Sequence, residues 1–136
     1  MKIWIICSKA FYPQIAPIQA YLENAGHQVT LPNSYDNPQQ EMDAWSQSPE
    51  EHVRFKQKMF SLSRNAARNV DAALVLNYEK HGLANYIGGA TFLEIYDAFC
   101  AGKKIYLMND IPEGILYDEL QGMAPTVING DLSLIR

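Results

Sequence analysis

Metal-ligand spacing is missing from this chain. Its two cysteines, Cys7 and Cys100, lie far apart in apolar segments, and its three histidines, His27, His52 and His81, are dispersed. There is no H-x-x-x-H pair and no Cys/His cluster, so a metal centre is not expected. Two isolated thiols read as reduced core residues rather than a disulfide framework. No apolar run approaches the roughly 20 residues of a membrane span, and the apolar start, MKIWIICSK, is too short for a signal peptide. A cytoplasmic protein is the expectation.

Basic clustering is absent too. The formal charge is −4 over 136 residues, and no Lys/Arg stripe offers a path for a nucleic-acid backbone. Neither G-x-G-x-x-G nor G-x-x-x-x-G-K-[ST] occurs, so the common glycine-rich phosphate loops are excluded. G-x-S-x-G is also missing, and no Ser-His-Asp arrangement suggests itself. The loop after the first strand lacks the Ser/Thr-rich cradle of a flavin protein, and no cofactor is expected. Partners are narrowed to small molecules and other copies of the chain.

What is present is a repeating pattern of buried strands and amphipathic helices. Residues 2–8, KIWIICS, form a continuous β-rich run of the kind found in strands covered on both faces. Pro13 suits the first turn of a helix, and Ile15, Ile18, Leu22 and Ala25 recur at helical spacing before Gly26. HQVTL, 27–31, is a second strand. Residues 33–49 are polar and proline-containing and read as a long loop, of a length that is often functional. Ser48-Pro49-Glu50-Glu51 has the chemistry of a helix start, with Phe55, Met59, Leu62 and Ala66 continuing the helix. DAALVLN, 71–77, is the third strand. A loop over 78–89 leads to a helix over 91–101, with Phe92, Ile95, Tyr96 and Phe99 assigned to one face. KIYLM, 104–108, is the fourth strand. A helix over 112–121, a short strand at 126–128 and a terminal turn complete the chain.

Alternating strands and helices call for an α/β fold: a five-stranded parallel sheet of order 2-1-3-4-5 in a flavodoxin-like three-layer sandwich, one domain over 1–136. In such sheets ligands bind beyond the carboxyl ends of the strands, at the switch point between strands 1 and 3. That rule selects residues 7–12, 77–94 and 109–114. Ser8 and Lys9 can hold an anion there, and Tyr12 brings a hydroxyl. Gly88 and Gly89 admit close approach to the main chain. Thr91-Phe92-Leu93-Glu94 fits the S/T-x-x-E capping box, in which Glu94 folds back onto its own helix. The same spacing also suits chemistry: a carboxylate at this crevice can attack the anomeric carbon of a sugar. Helix position is expected to keep Glu94 ionised. Asp97, Asp110 and Glu79 are the acids available to help a base leave. Asp71 reads as a turn residue at the opposite edge.

DAALVLN, a loop, GGATFLE and GKKIYLMN together resemble the nucleoside 2-deoxyribosyltransferase-like superfamily, which includes the 2-deoxynucleoside 5-phosphate N-hydrolases. The opening strand and helix fit as well. The resemblance implies cleavage or transfer at the N-glycosidic bond of a 2-deoxynucleoside or its 5-monophosphate, in a homodimer or higher homo-oligomer. A binding-only module on the same scaffold is the alternative. By position, Glu94 matches the family's nucleophile and Tyr12 the tyrosine that assists it. Ser8 and Lys9 match the phosphate-contacting loop, and Asn77 the polar group that reaches the ligand after strand 3. Gly88, Gly89 and Thr91 stand where the turn before the glutamate contacts substrate. Cys7 replaces a glycine, Ala90-Thr91 replaces Gly-Thr, and Tyr96 and Asp97 replace small residues.

Overall fold

A computed structural model describes residues 1–136. Its five strands are β1 (Lys2–Cys7), β2 (Gln28–Thr30), β3 (Ala72–Leu76), β4 (Lys104–Leu107) and β5 (Thr126–Val127). They form one parallel sheet in the order β2-β1-β3-β4-β5, the order read from the sequence. The helices are α1 (Ile15–Asn24), α2 (Gln40–Gln47), α3 (Pro49–Arg68), α4 (Gly89–Cys100) and α5 (Tyr117–Gly122), with 3₁₀ turns over Lys9–Gln14 and Leu132–Leu134.

The uniform hydrophobicity of β1 hides a period of two. Ile3, Ile5 and Cys7 join Leu74, Leu76 and Tyr106 against Ile15, Ile18 and Leu22 of α1. Trp4 and Ile6 point the other way, joining Val75, Leu107, Ala67 of α3, Ile95 and Ala98 of α4, and Leu120 of α5. Strands 1, 3 and 4 are thus sealed on both faces, and only their carboxyl-end loops are free to build a site.

Four features differ from the sequence expectations. Residues 33–49 are not one loop, because α2 occupies Gln40–Gln47. None of its residues is fully buried. It is held by tertiary contacts: the Trp45 ring stacks on His52 at 3.9 Å, and Glu41 pairs with α3. Next, α5 begins only at Tyr117, because Gly114 sits at φ +117 and breaks the preceding turn. On α4, Thr91, Ile95 and Ala98 face the sheet, while Tyr96 and Phe99 are exposed. Small side chains let that helix approach, so its largest residues are turned outward. Finally, Cys7 is buried as expected but Cys100 is exposed.

Helix α3 starts as its sequence indicates. The Ser48 hydroxyl accepts from the Glu51 amide at 3.1 Å, with Pro49 in the first position. Helix α4 does not, and that difference shapes the site.

Candidate active site

Helix α4 takes Gly88 as its N-cap (φ −83, ψ 174), with no side-chain cap. Thr91 therefore lies inside the first turn, fully enclosed, and cannot act as the cap of a capping box. Glu94 falls a turn further along and accepts no hydrogen bond from any backbone amide or side chain. Neither glycine adopts a positive φ. Gly88 is instead closely approached: a Cβ there would meet the Tyr86 hydroxyl at 3.0 Å, and the ring would have to give way. A Cβ on Gly89 would meet nothing.

The backbone freedom expected of the glycine pair is used earlier in the same loop. His81 (φ 52) and Gly82 (φ 77) form a tight turn in which Lys80 and Leu83 exchange both backbone hydrogen bonds. Two consecutive left-handed residues define the hairpin turn that follows the strand twist. It aims Lys80 back over β1: the ammonium donates to Ser8 Oγ at 3.0 Å and lies 4.9 Å above the Tyr86 ring.

These segments enclose a cavity of about 320 Å³ at the carboxyl ends of β1 and β3. Its size falls at the lower end of the ~300–1,000 Å³ usual for small-molecule sites. Cys7, Ser8, Lys9 and Tyr12 form one side, Gly88 to Thr91 and Glu94 another. Phe55, Met59 and Phe60 of α3 supply an apolar wall, with Lys56 among them. The lining carries three ammonium groups (Lys9, Lys56, Lys80) and two carboxyls (Glu41, Glu94).

Glu94 is the perturbed group. Its carboxyl is pushed up from 4.5 to about 8, by burial first and by the charge of Asp97 second, with Lys56 acting in opposition. The expectation of a permanently ionised side chain is thus overturned. Glu94 stands beyond the first helical turn, where the dipole has faded, and desolvation decides. Roughly one molecule in ten carries the charge at pH 7. Neighbouring groups respond to that carboxyl. Burial, with Glu94 adding to it, raises the Cys7 thiol to about 12. The Tyr12 phenol is also raised, by burial, then Cys7, then Glu94. Both stay protonated near neutral pH.

Glu41 behaves oppositely. Burial alone would raise it, but hydrogen bonds from His52 and Lys56 and the Lys9 charge bring it down to about 2. His52 Nε2 lies 2.8 Å and Lys56 Nζ 3.1 Å from Oε2, and Lys9 Nζ lies 3.5 Å from Oε1. Lys9 also donates to the Pro38 carbonyl at 3.0 Å.

Of the residues singled out in the sequence, Ser8, Lys9, Tyr12, Gly88, Gly89, Thr91 and Glu94 meet around this cavity. Asn77, Asp97 and Asp110 do not line it. Asn77 is fully buried, and its side chain spans the ends of β3 and β4. It donates to the carbonyls of Asn109 and Asp110, both at 3.0 Å, and accepts from the Asn109 amide at 2.9 Å. Both amide hydrogens are spent on those carbonyls, so in this structure Asn77 acts as a clamp between strand ends. Asp97 accepts from Ser63 Oγ at 2.9 Å and faces Arg64, Arg68 and Lys103 outside the cavity. Asp110 borders a separate open groove with Ile111 and Pro112. Glu79 is exposed. Asp71 accepts from the Lys2 amide at 2.7 Å, at the far edge of the sheet. Tyr96 is exposed and does not close off Glu94.

The sequence reading missed Glu41, Lys56 and Lys80. Lysines and glutamates of exposed helices and loops carry no spacing signal, and only the His-Gly turn pointed to Lys80. No group of three His, Cys, Asp or Glu side chains is placed to hold a metal ion, and no helix is long and apolar enough to cross a membrane.

No family sequence profile matches the chain, and no curated protein sequence is similar to it. Solved structures are similar. A CMP N-glycosidase from Clostridium botulinum superposes with a TM-score of 0.56 at 16% identity, over 94% of this chain and 86% of that one. A 2-deoxyribosyltransferase from the psychrotolerant bacterium Bacillus psychrosaccharolyticus does so with a TM-score of 0.59 at 16% identity, over 90% and 82%. At this identity the likeness is one of fold: the same parallel α/β architecture carries all three chains.

Proposed function

We propose that this protein cleaves or transfers the N-glycosidic bond of a 2′-deoxynucleoside or its 5′-monophosphate, with Glu94 as the nucleophile. The observation that carries this reading is the Glu94 carboxyl, open to a nucleoside-sized cavity and bonded to no protein group. The folds of an N-glycosidase and a deoxyribosyltransferase support it.

In this reading the ionised Glu94 attacks C1′, the C1′–N bond breaks, and its electron pair leaves with the base. Water then opens the glycosyl ester to give hydrolysis, or a second base takes the sugar in transfer. Tyr12, protonated and lining the same cavity, makes no bond to Glu94 at rest and in this reading turns to donate one once the carboxylate forms. Ser8 and Lys80, 3.0 Å apart, and Lys9 further along the lining provide donors for a 5′-phosphate. Because Glu94 must be ionised, kcat/KM is expected to rise with pH up to about 8.

A second reading has an observation of its own. A neutral Glu94 donates a hydrogen bond, which suits a site that binds nucleotides without turning them over. Incubation with the four 2′-deoxynucleosides and their 5′-monophosphates, followed by chromatography for free base, separates the two. Base release abolished in Glu94→Ala supports the enzyme. Calorimetric binding with no release over hours supports the module.

Assembly as a homodimer or higher homo-oligomer is part of the proposal. Phe60 and Leu93 are exposed at the cavity edge, and Tyr96 and Phe99 continue the exposed apolar surface along α4. Light scattering on the purified chain tests it.

A further inference from the structure

The cavity presents no carboxylic acid to the departing base. Asp97 and Asp110 lie outside it, and Glu41 is held as a carboxylate by three cations. Three ammonium groups line the cavity, and Lys56 differs from the other two in its surroundings. Lys80 is turned to Ser8 and the Tyr86 ring. Lys9 is tied to the Pro38 carbonyl. Lys56 projects from α3 between Phe55, Met59 and Phe60, the apolar wall on which a planar base can lie. It spends one hydrogen on Glu41 at 3.1 Å, which leaves two for a ligand. It is also the one cation whose charge acts on Glu94, so it lies near the reacting bond.

We infer that Lys56 stabilises the leaving base, donating from Nζ to a carbonyl oxygen or ring nitrogen of the base as the C1′–N bond breaks. This rests on the glycosidic reading above. The proton moves from the ammonium to the base as the base takes the bonding pair. It returns to Lys56 from the water that later replaces Glu94 at C1′, so the cycle closes without another reactant. Glu41 acts through Lys56, as a positioning residue.

The test uses the whole chain as wild type, Lys56→Met and Lys56→Arg. Each is assayed with the best wild-type substrate of the panel above and with an analogue whose base leaves without help: the 5-fluoro base for a pyrimidine, the 7-methyl base for a purine. Lys56→Met is expected to lose about 10²–10⁴-fold with the natural substrate, the usual worth of such proton transfer. The loss with the activated analogue is expected to be far smaller, and Lys56→Arg, which keeps the charge but does not release a proton, to recover little of the natural rate. Unfolding midpoints serve as a control on the fold. Equal losses on both substrates, or none, would overturn the role of Lys56 while leaving Glu94 in place. A wild type that releases no base from any member of the panel would overturn the glycosidic reading itself, and this inference with it.

Discussion

Replacing Glu94 by glutamine removes a titration and little else, so its effect on stability follows from the site. The Glu94 carboxyl titrates near 4.5 in an unfolded chain and near 8 in the fold. Between those values the native state holds a proton that the unfolded state has released. Stability must therefore fall as pH rises through that window, and level off above it. At about 1.4 kcal/mol per pH unit, the full interval sets a ceiling near 5 kcal/mol. The cavity is open to solvent at its mouth, so about 2–4 kcal/mol is a better expectation. Glutamine carries no charge to desolvate. Glu94→Gln should exceed the wild type by about 1 kcal/mol or less at pH 5 and by about 2–4 kcal/mol at pH 9. For a chain of this size that is roughly 10 °C in unfolding midpoint. Urea titrations of both proteins from pH 5 to pH 9 give the curve directly. A difference that stays flat across this range, or a less stable variant at pH 9, would mean that the carboxylate is solvated or paired and that the electrostatic reasoning is wrong.

Other expectations concern the parts that hold the site. Asn77→Ala removes three hydrogen bonds that tie β3 to Asn109 and Asp110 and should cost about 2–4 kcal/mol. If chemical denaturation shows a loss under 0.5 kcal/mol, the clamp is not structural. Glu41→Gln leaves Lys9 and Lys56 without their shared carboxylate and should release α2. Hydrogen exchange over Gln40–Gln47 is expected to quicken by tenfold or more, and unchanged protection would show that the Trp45–His52 stack suffices alone. Ser48→Ala removes the cap of α3 and should cost about 1 kcal/mol, read from thermal unfolding.

Strands β1, β3 and β4 were legible because each is sealed on both faces, which makes nearly its whole length apolar. Helices α1 and α3 were legible because apolar periodicity and the Ser48-Pro49 start agree. Helix α2 was not, since its stability comes from a ring stack and an ion cluster made with the helix that follows it, not from an apolar face of its own. At the site, the position of Glu94 followed from topology alone, but its protonation did not. The S/T-x-x-E spacing suggested a cap, but the helix begins two residues earlier with Gly88 as its N-cap, where Tyr86 packs against the turn. Asn77 shows the complementary error. A polar residue at a strand end looks ligand-directed in sequence, whereas here it closes the gap to the next strand. Lys56 and Lys80 were invisible because a lysine's spacing says nothing about where its flexible end is held.

The claim on which all of this turns is that Glu94 bonds to the sugar. Rapid quenching of the wild type with its best substrate, followed by peptide mass mapping, reads that bond directly. A deoxyribosyl adduct, or its phosphate, confined to the peptide carrying Glu94 is the expected result. Base release accompanied by an adduct on another residue, or undiminished release by Glu94→Ala, would contradict it.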